Sequence, residues 1–284
     1  MRRGWLLYDE RDLAVNRDFA AFMTDEAKKR ELALETVTAE RLRFGLRSGG
    51  TLSIRLDGAE ALPDFVISRQ RSALLSRQLE RMGVPVFNNA RVCELCNDKR
   101  QTHQFLAGLP MLETEFADAS RALPPLSYPR VVKPACSHGG DRVQLVQSEA
   151  QWREAMAAIA PESALTQEVA AQPGRDLRVY VVFGEIVAGV LRTARSGVVS
   201  NFKLGGHAAL HELTSAERAL AEAVVRRFAA EGAPLCFAGV DLLYHTAGPV
   251  LSEVEDVVGS RMLYKAGGPD VAALYLDGLR ERLS

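Results

Sequence analysis

The alternation of apolar and polar positions in the first third of the chain predicts strands and helices that follow one another in turn. The apolar run Trp5–Tyr8 predicts a strand, and apolar residues at helical spacing predict a helix from about Arg17 to Arg30. A second strand is predicted at 65–67 and a second helix at 74–82. This alternation is typical of a parallel sheet, whose ligands lie beyond the carboxyl ends of its strands. Arg69 follows the second strand and is the best candidate to anchor an anionic substrate.

The pattern changes near Asn97, a favourable N-cap residue for a short helix. An apolar pair at 131–132 predicts a strand that delivers Lys133, and a polar loop with two adjacent glycines follows. Ser148 and Gln151 have the spacing of a capping box, which predicts another helix.

From residue 165 onward, the pattern favours strands that pair as hairpins. One long helix interrupts them at 216–230, and Thr214 with Glu217 has the spacing of its capping box. The predicted strands are 165–169, 177–183, 186–191, 238–244 and 250–254.

These elements predict an α/β protein with α+β lobes in three parts. A parallel α/β domain is expected at 1–96, a small central lobe at 97–170 and a C-terminal lobe at 171–284.

The composition is that of an ordinary globular protein. Of 284 residues, 47% are hydrophobic, and the formal net charge is -1, which argues against wholesale disorder and against nucleic-acid binding. The apolar stretch Trp5–Tyr8 is too short for a signal peptide or a membrane span, so a cytoplasmic location is expected.

Cys93 and Cys96 lack the second ligand pair that a zinc site requires, so a structural role is expected for both.

The last predicted hairpin brings carboxylates together. If its turn is centred on Ala247, Asp241 lies opposite Glu253, and Glu255 lies two residues further along the same face. Three carboxylates at this spacing suit Mg²⁺ or Mn²⁺. A solvated acidic edge is the alternative, and spacing alone does not choose between them.

Two lysines and a glycine-containing loop offer contacts for phosphate. Lys99 begins a predicted helix, and Lys133 follows a predicted strand. The loop that begins at Ser137 could close its backbone amides over phosphates, but it does not match a P-loop. Taken singly, each lysine is better explained as a surface charge.

Seven short segments occur in an order and spacing that resembles RimK-like ATP-grasp carboxylate–amine ligases. The resemblance covers nearly the whole chain, including a pre-ATP-grasp domain before the ATP-grasp core. The segments are Asn97-Asp98-Lys99, Val132-Lys133-Pro134, Gln167-Glu168, Asp176-Leu177-Arg178, Ser200–Gly206, Gly239-Val240-Asp241 and Glu253-Val254-Glu255.

The resemblance implies an enzyme that uses ATP and Mg²⁺ or Mn²⁺ to activate a carboxylate as an acyl phosphate and pass it to an amine, releasing ADP and phosphate. It also implies a role for each matching residue. These are phosphate binding by Lys99 and Lys133, an adenine hinge at Gln167, Glu168, Val169 and Ala170, a ribose contact at Asp176, metal binding by Asp241, Glu253 and Glu255, and contacts of Arg192 and Asn201 with the transferred phosphoryl group.

Two positions depart from the family pattern. The metal segment ends in Glu255, where the family usually has asparagine, so the site is more anionic. The phosphate loop contains His138, whose role stays open between a phosphate contact and an ordinary loop residue.

Small-molecule or peptide carboxylates and amines are the expected substrates, and a homo-oligomer is possible. Two other functions remain open at this stage. One is an ATP-binding sensor without catalysis, and the other is a kinase of the same fold.

Overall fold

The computed structural model describes residues 1–194, 197 and 206–284. Within these ranges the helices are α1 (Glu10–Lys28), α2 (Ala73–Arg81), α3 (Ala90–Cys96), α4 (Lys99–Phe105), α5 (Glu149–Ile159), α6 (Ser215–Ala230), α7 (Arg261–Lys265) and α8 (Val271–Leu283). The strands are β1 (Arg2–Tyr8), β2 (Leu32–Thr38), β3 (Leu42–Leu46), β4 (Leu52–Leu56), β5 (Ala59–Glu60), β6 (Phe65–Ser68), β7 (Val86–Phe87), β8 (Thr114–Asp118), β9 (Arg130–Pro134), β10 (Gln144–Val146), β11 (Ser163–Glu168), β12 (Arg175–Val182), β13 (Glu185–Thr193), β14 (His207–Leu210), β15 (Phe237–His245) and β16 (Gly248–Glu255).

The N-terminal strands form the predicted parallel sheet, in the order β2-β1-β6-β7. Strand β2 was not predicted, because the polar residues Glu35 and Thr36 interrupt its apolar alternation. The antiparallel sheet β3-β4-β5 was not predicted either, since its short strands mix charged and small residues. Both additions lie between the two predicted βα units and leave their order unchanged.

Two predicted helix starts are wrong. Helix α1 begins at Glu10 rather than near Arg17, and acidic side chains in its first turn favour that earlier start. Asn97 ends α3, a helix that was not predicted, and Asp98 is the N-cap of α4, accepting from Arg100 N at 3.0 Å. The Asn97 amide is engaged elsewhere, because it donates to both oxygens of Asp256 at 3.1 Å.

The central and C-terminal strands form two antiparallel sheets. The central sheet has the order β10-β9-β11-β8, and α5 covers one face with Trp152 and Met156. The C-terminal sheet has the order β14-β13-β12-β15-β16, and α6 packs on one face through Val224 and Phe228. Edge strand β14 was not predicted.

Polar caps begin the helices that cover these sheets. The predicted capping box of α6 is confirmed, because Glu217 N donates to Thr214 Oγ1 at 3.3 Å and Thr214 N donates to Glu217 Oε2 at 2.8 Å. Ser148 caps α5, but the Gln151 side chain accepts from Gln147 N rather than from Ser148 N, so that box is only half formed.

The N-terminal and C-terminal sheets share one apolar core. Phe65 and Ile67 belong to the same buried cluster as Tyr180, Phe237 and residues of α8. The buried Asn88 side chain also joins the two parts, since it donates to Phe237 O at 2.8 Å. The carboxyl end of β6 therefore lies against the C-terminal sheet, although the predicted domain boundaries stay predictions. No helix in the described ranges has the length and apolar character to cross a bilayer.

Candidate active site

The hairpin of β15 and β16 carries the three predicted metal carboxylates, but its turn covers residues 246–247 and is not centred on Ala247. Counting back from that turn alone would place Asp241 opposite Ser252. A β-bulge in β16 leaves Ser252 as an extra residue, so Asp241 pairs with Glu253. The predicted pair is confirmed, and the bulge produces it.

The carboxylates of Asp241, Glu253 and Glu255 converge on one point. Each offers an oxygen, and these oxygens lie within 4.8 Å of one another. Asp241 is buried, while the two glutamates are partly exposed and reachable from solvent. Hard oxygen donors at this spacing fit Mg²⁺ or Mn²⁺.

A buried arginine, to which the sequence analysis assigned no role, lies between two of these carboxylates. Arg178 lies opposite Asp241 on the neighbouring strand β12, and its Nε and Nη2 donate to the two Asp241 oxygens at 2.8 and 2.6 Å. Arg178 Nη2 also lies 2.6 Å from Glu255 Oε1. The sequence did contain a signal for a role of Arg178, because this residue lies two positions after Asp176 and therefore on the same face of the strand.

A second arginine, Arg192 on β13, reaches Asp241 from the same side of the sheet as Arg178. Its Nε donates to Asp176 Oδ1 at 2.9 Å, and its Nη2 donates to Asp241 Oδ2 at 2.7 Å. Arg192 was expected at the transferred phosphoryl group and Asp176 at the ribose. The two residues contact each other directly, because they lie opposite one another on the adjacent strands β13 and β12.

These charges set the protonation of the carboxylates. Burial favours the neutral acid, but Arg178 and Arg192 outweigh it and lower the pKa of Asp241 to about 2. Burial raises the pKa of Glu255, and the charges of Asp241 and Glu253 add to that rise despite Arg178. Against the effect of burial, the charges of Lys99 and Lys133 also lower the pKa of Glu253, so Asp241 and Glu253 are the ionised members of the cluster.

The two predicted phosphate lysines lie on the other side of the cluster, and both are buried. Lys99 Nζ is 3.5 Å from Glu253 Oε2 and also donates to the carbonyl of Ser137 in the phosphate loop. Lys133 Nζ donates to Gln167 Oε1 at 3.1 Å. Burial lowers the pKa of Lys133 to about 8, although Glu253 opposes this shift. The structure therefore links both lysines to the carboxylates or to the predicted adenine hinge.

The predicted hinge lies where the central sheet passes into the C-terminal sheet. Gln167 and Glu168 end β11, and Glu168 N donates to Glu113 O at 2.9 Å. Val169 and Ala170 follow, before Ala171 N donates to Tyr244 O at 2.8 Å. The hinge segment is thus fixed at both ends. Asn201 lies outside the described residues.

His103 was not predicted, yet it faces the same strand from α4. Its Nε2 lies 2.9 Å from Ser252 O. Burial and the charge of Lys133 lower the pKa of His103 to about 4, so the ring is neutral near pH 7.

Arg69 lies where expected, after β6, but only 5% of it is exposed. Its Nη2 donates to Val258 O at 2.9 Å, and its guanidinium carbon lies 5.4 Å from the centre of the Phe19 ring. Among the described residues, Arg69 Nε has no hydrogen-bond partner. Arg71 is more accessible, with 27% of its side chain exposed and an ion pair to Asp12.

A fourth carboxylate, Asp256, follows the metal cluster but was assigned no role. It is buried beside Arg69 and Arg71, and Asn97 donates to it. Burial raises the pKa of Asp256 to about 7, against the opposing charge of Arg71. Positively and negatively charged side chains therefore lie together where β6 meets the segment after β16.

Comparisons with known proteins show which family the chain resembles. The sequence profile of the RimK-like ATP-grasp domain matches residues 96–279. A Xanthomonas euvesicatoria protein named "Probable alpha-L-glutamate ligase" is 34% identical over 229 residues, covering 76% of this chain and 75% of the relative.

Solved structures share the fold at low sequence identity. A RimK domain ATP-grasp protein from Sphaerobacter thermophilus has a TM-score of 0.68 at 22% identity, covering 97% of this chain and 98% of its own. The D-alanine–D-alanine ligase from Bacillus anthracis, solved with ATP, has a TM-score of 0.69 at 14% identity and covers 100% of both chains. The chain therefore belongs to the RimK-like ATP-grasp family, and it is an ATP-dependent, ADP-forming carboxylate–amine ligase.

Proposed function

We propose that this site phosphorylates a substrate carboxylate with ATP and passes the acyl group of the resulting acyl phosphate to an amine. The observation that carries the proposal is the 3.5 Å approach of Lys99 Nζ to Glu253 Oε2. It sets a phosphate-binding cation against the metal carboxylates, so the terminal phosphate of ATP and a divalent cation fit side by side. The ATP-bound relative from Bacillus anthracis supports the choice of nucleotide.

The proposed roles divide the site into three groups of residues. The groups are Lys99 and Lys133 at the phosphates, Gln167, Glu168, Val169, Ala170 and Asp176 at the nucleoside, and Asp241, Glu253 and Glu255 at Mg²⁺ or Mn²⁺. A cation bound at these three carboxylates would neutralise phosphate oxygens as the phosphoryl group moves.

The transfer step requires cations because an anionic carboxylate attacks an anionic phosphate. Arg192 is held beside the metal carboxylates by Asp176, and we assign it to the transferred phosphoryl group. Asn201 is assigned to the same group by resemblance. The substrate carboxylate is itself the nucleophile, so the scheme requires no nucleophilic side chain.

We place the acid substrate beside Arg71, near the segment after β16. The charges of Arg69 and Arg71 both act on Asp256 of that segment, and arginine binds carboxylates in a two-point geometry. Because Arg69 is held by Val258 O, Arg71 is the more accessible anchor and Arg69 supports the wall behind it. The name of the Xanthomonas relative makes L-glutamate the first amino acid to test. A cytoplasmic location and a homo-oligomer remain predictions.

The central test measures ADP release from ATP and Mg²⁺ with L-glutamate and with panels of carboxylates, amines and short peptides. A ligase releases ADP and phosphate only when a matching acid and amine are supplied, and mass spectrometry finds the amide. A stable phosphoester would instead identify a kinase, and ATP binding without turnover across the panels would favour a sensor.

Lys133→Met is expected to lower ADP formation at least about a hundredfold, because the variant keeps the buried stem and loses the charge. Its free energy of unfolding should not fall, since burial already disfavours the Lys133 ammonium. Initial rates and urea denaturation measure both effects. Lys28→Ala, on a side chain that is 66% exposed, is the control. Wild-type turnover in Lys133→Met would remove Lys133 from the site.

Arg71→Ala is expected to raise the KM for the acid about tenfold or more and to leave the KM for ATP within about threefold. The reason is that Arg71 is the proposed anchor of the acid and is not assigned to the nucleotide. Arg77→Ala, which removes a half-exposed arginine paired with Glu94, is the matched control. An equal rise in both KM values would argue against an acid anchor.

A further inference from the structure

Among the described residues, Ser252 has no paired residue on β15, because the bulge that aligns the metal carboxylates leaves it outside the register. In a regular edge strand, successive residues direct their backbone groups alternately inward and outward. Leu251 N already points outward, because it donates to Pro110 O at 2.8 Å. The next residue also has an outward contact, because Ser252 O is bonded by His103. Two successive residues with outward contacts break the alternation, as expected at a bulge.

His103 supplies the missing donor. Because a carbonyl oxygen only accepts hydrogen bonds, the ring must carry its proton on Nε2 to bond Ser252 O at 2.9 Å. His103 is 5% exposed and lies one helical turn after Lys99, which approaches Glu253 from the same face of α4. One helix therefore contacts both the bulge carbonyl and the carboxylate that follows it.

The position of the bulge decides which way Glu253 points. If the strand continued in the register of its turn, Glu253 would lie opposite Val240, whose side chain belongs to the buried apolar cluster beneath α6. With the bulge at Ser252, Glu253 lies opposite Asp241 and faces the carboxylate cluster. Ser252 is partly buried, and a carbonyl withdrawn from water without a donor is costly, so a donor at Ser252 O favours a bulge at this residue.

We propose that His103 is a positioning residue that holds the bulge at Ser252 and thereby aims Glu253 at the metal. The inference rests on the proposed function only in assigning Asp241, Glu253 and Glu255 to a divalent cation. His103 itself touches neither nucleotide nor metal in this scheme. Its contribution passes through the Ser252 carbonyl.

The test compares His103→Gln, whose amide can reach the carbonyl, with His103→Leu, which keeps bulk and loses the donor. Mn²⁺ is titrated into each full-length protein with ADP present, and bound ion is followed by electron paramagnetic resonance. His103→Leu should weaken Mn²⁺ binding about ten- to a hundredfold, as expected when a supporting hydrogen bond is lost, and His103→Gln should stay within about threefold. Phe105→Leu, on the same helix and packed on Phe228, is the control for general loosening of α4.

Equal Mn²⁺ affinity in His103→Leu and wild type overturns the proposal, and so does equal weakening in both histidine variants. Amide hydrogen exchange over residues 250–255 provides a readout that does not need the metal. His103→Leu should exchange faster there than His103→Gln. If the wild type binds no Mn²⁺, the proposed metal site fails, and the exchange comparison alone then supports or overturns the role of His103.

Discussion

Glu255→Lys is expected to lower the rate of ADP formation at least about a thousandfold, because the metal charge contributes several kcal/mol to the transition state. The introduced ammonium would stand beside Asp241 and Glu253 and repel a divalent cation. It would also replace the carboxylate that now lies 2.6 Å from Arg178 Nη2. Initial rates with both substrates, measured against Mg²⁺ concentration, test this expectation.

Two further substitutions separate charge reversal from loss of one ligand. Glu255→Asn keeps an oxygen ligand and should retain measurable activity while requiring more Mg²⁺. Glu222→Lys makes the same charge change on a side chain that is 45% exposed, and its rate should match the wild type. Full activity of Glu255→Lys at an unchanged Mg²⁺ requirement would show that the three carboxylates do not form the metal site.

Arg178→Met is expected to lower the free energy of unfolding by about 3–5 kcal/mol, as found when one partner of a buried ion pair is removed. The variant keeps similar bulk but leaves Asp241 and Glu255 facing each other without the guanidinium that now bonds both. Urea denaturation in metal-free buffer measures the loss. Arg226→Met, on a side chain that is 69% exposed, should change the same quantity by less than about 0.5 kcal/mol.

A divalent cation should partly compensate for the missing guanidinium. Binding to the folded state alone stabilises a protein. Mn²⁺ with ADP is therefore expected to raise the free energy of unfolding more in Arg178→Met than in the wild type, because the cation would neutralise carboxylates that Arg178 no longer pairs. A variant that is as stable as the wild type without metal would mean that Arg178 is not needed to hold the carboxylates.

Much of the fold was predictable because local signals agreed with the final packing. Strands β1 and β6 have apolar runs at Trp5–Tyr8 and 65–67, and the cap of α6 is local in sequence. Helix α1 and the role of Asn97 were mispredicted for different reasons. The start of α1 has few apolar residues, and the Asn97 side chain is engaged by Asp256, far along the chain.

The sequence by itself determined which residues are candidates for the site. Glu253 and Glu255 alternate along one predicted strand, and Asp241 lies on its hairpin partner. The family resemblance adds Lys99 and Lys133. Only the tertiary structure decided how these groups meet. The turn alone would have paired Asp241 with Ser252, and the bulge that corrects this is bonded by His103 from a distant helix. Arg178 likewise gains its place only when β12 aligns with β15. Strand register and charge pairing depend on contacts between residues far apart in sequence, and no local pattern records their energies.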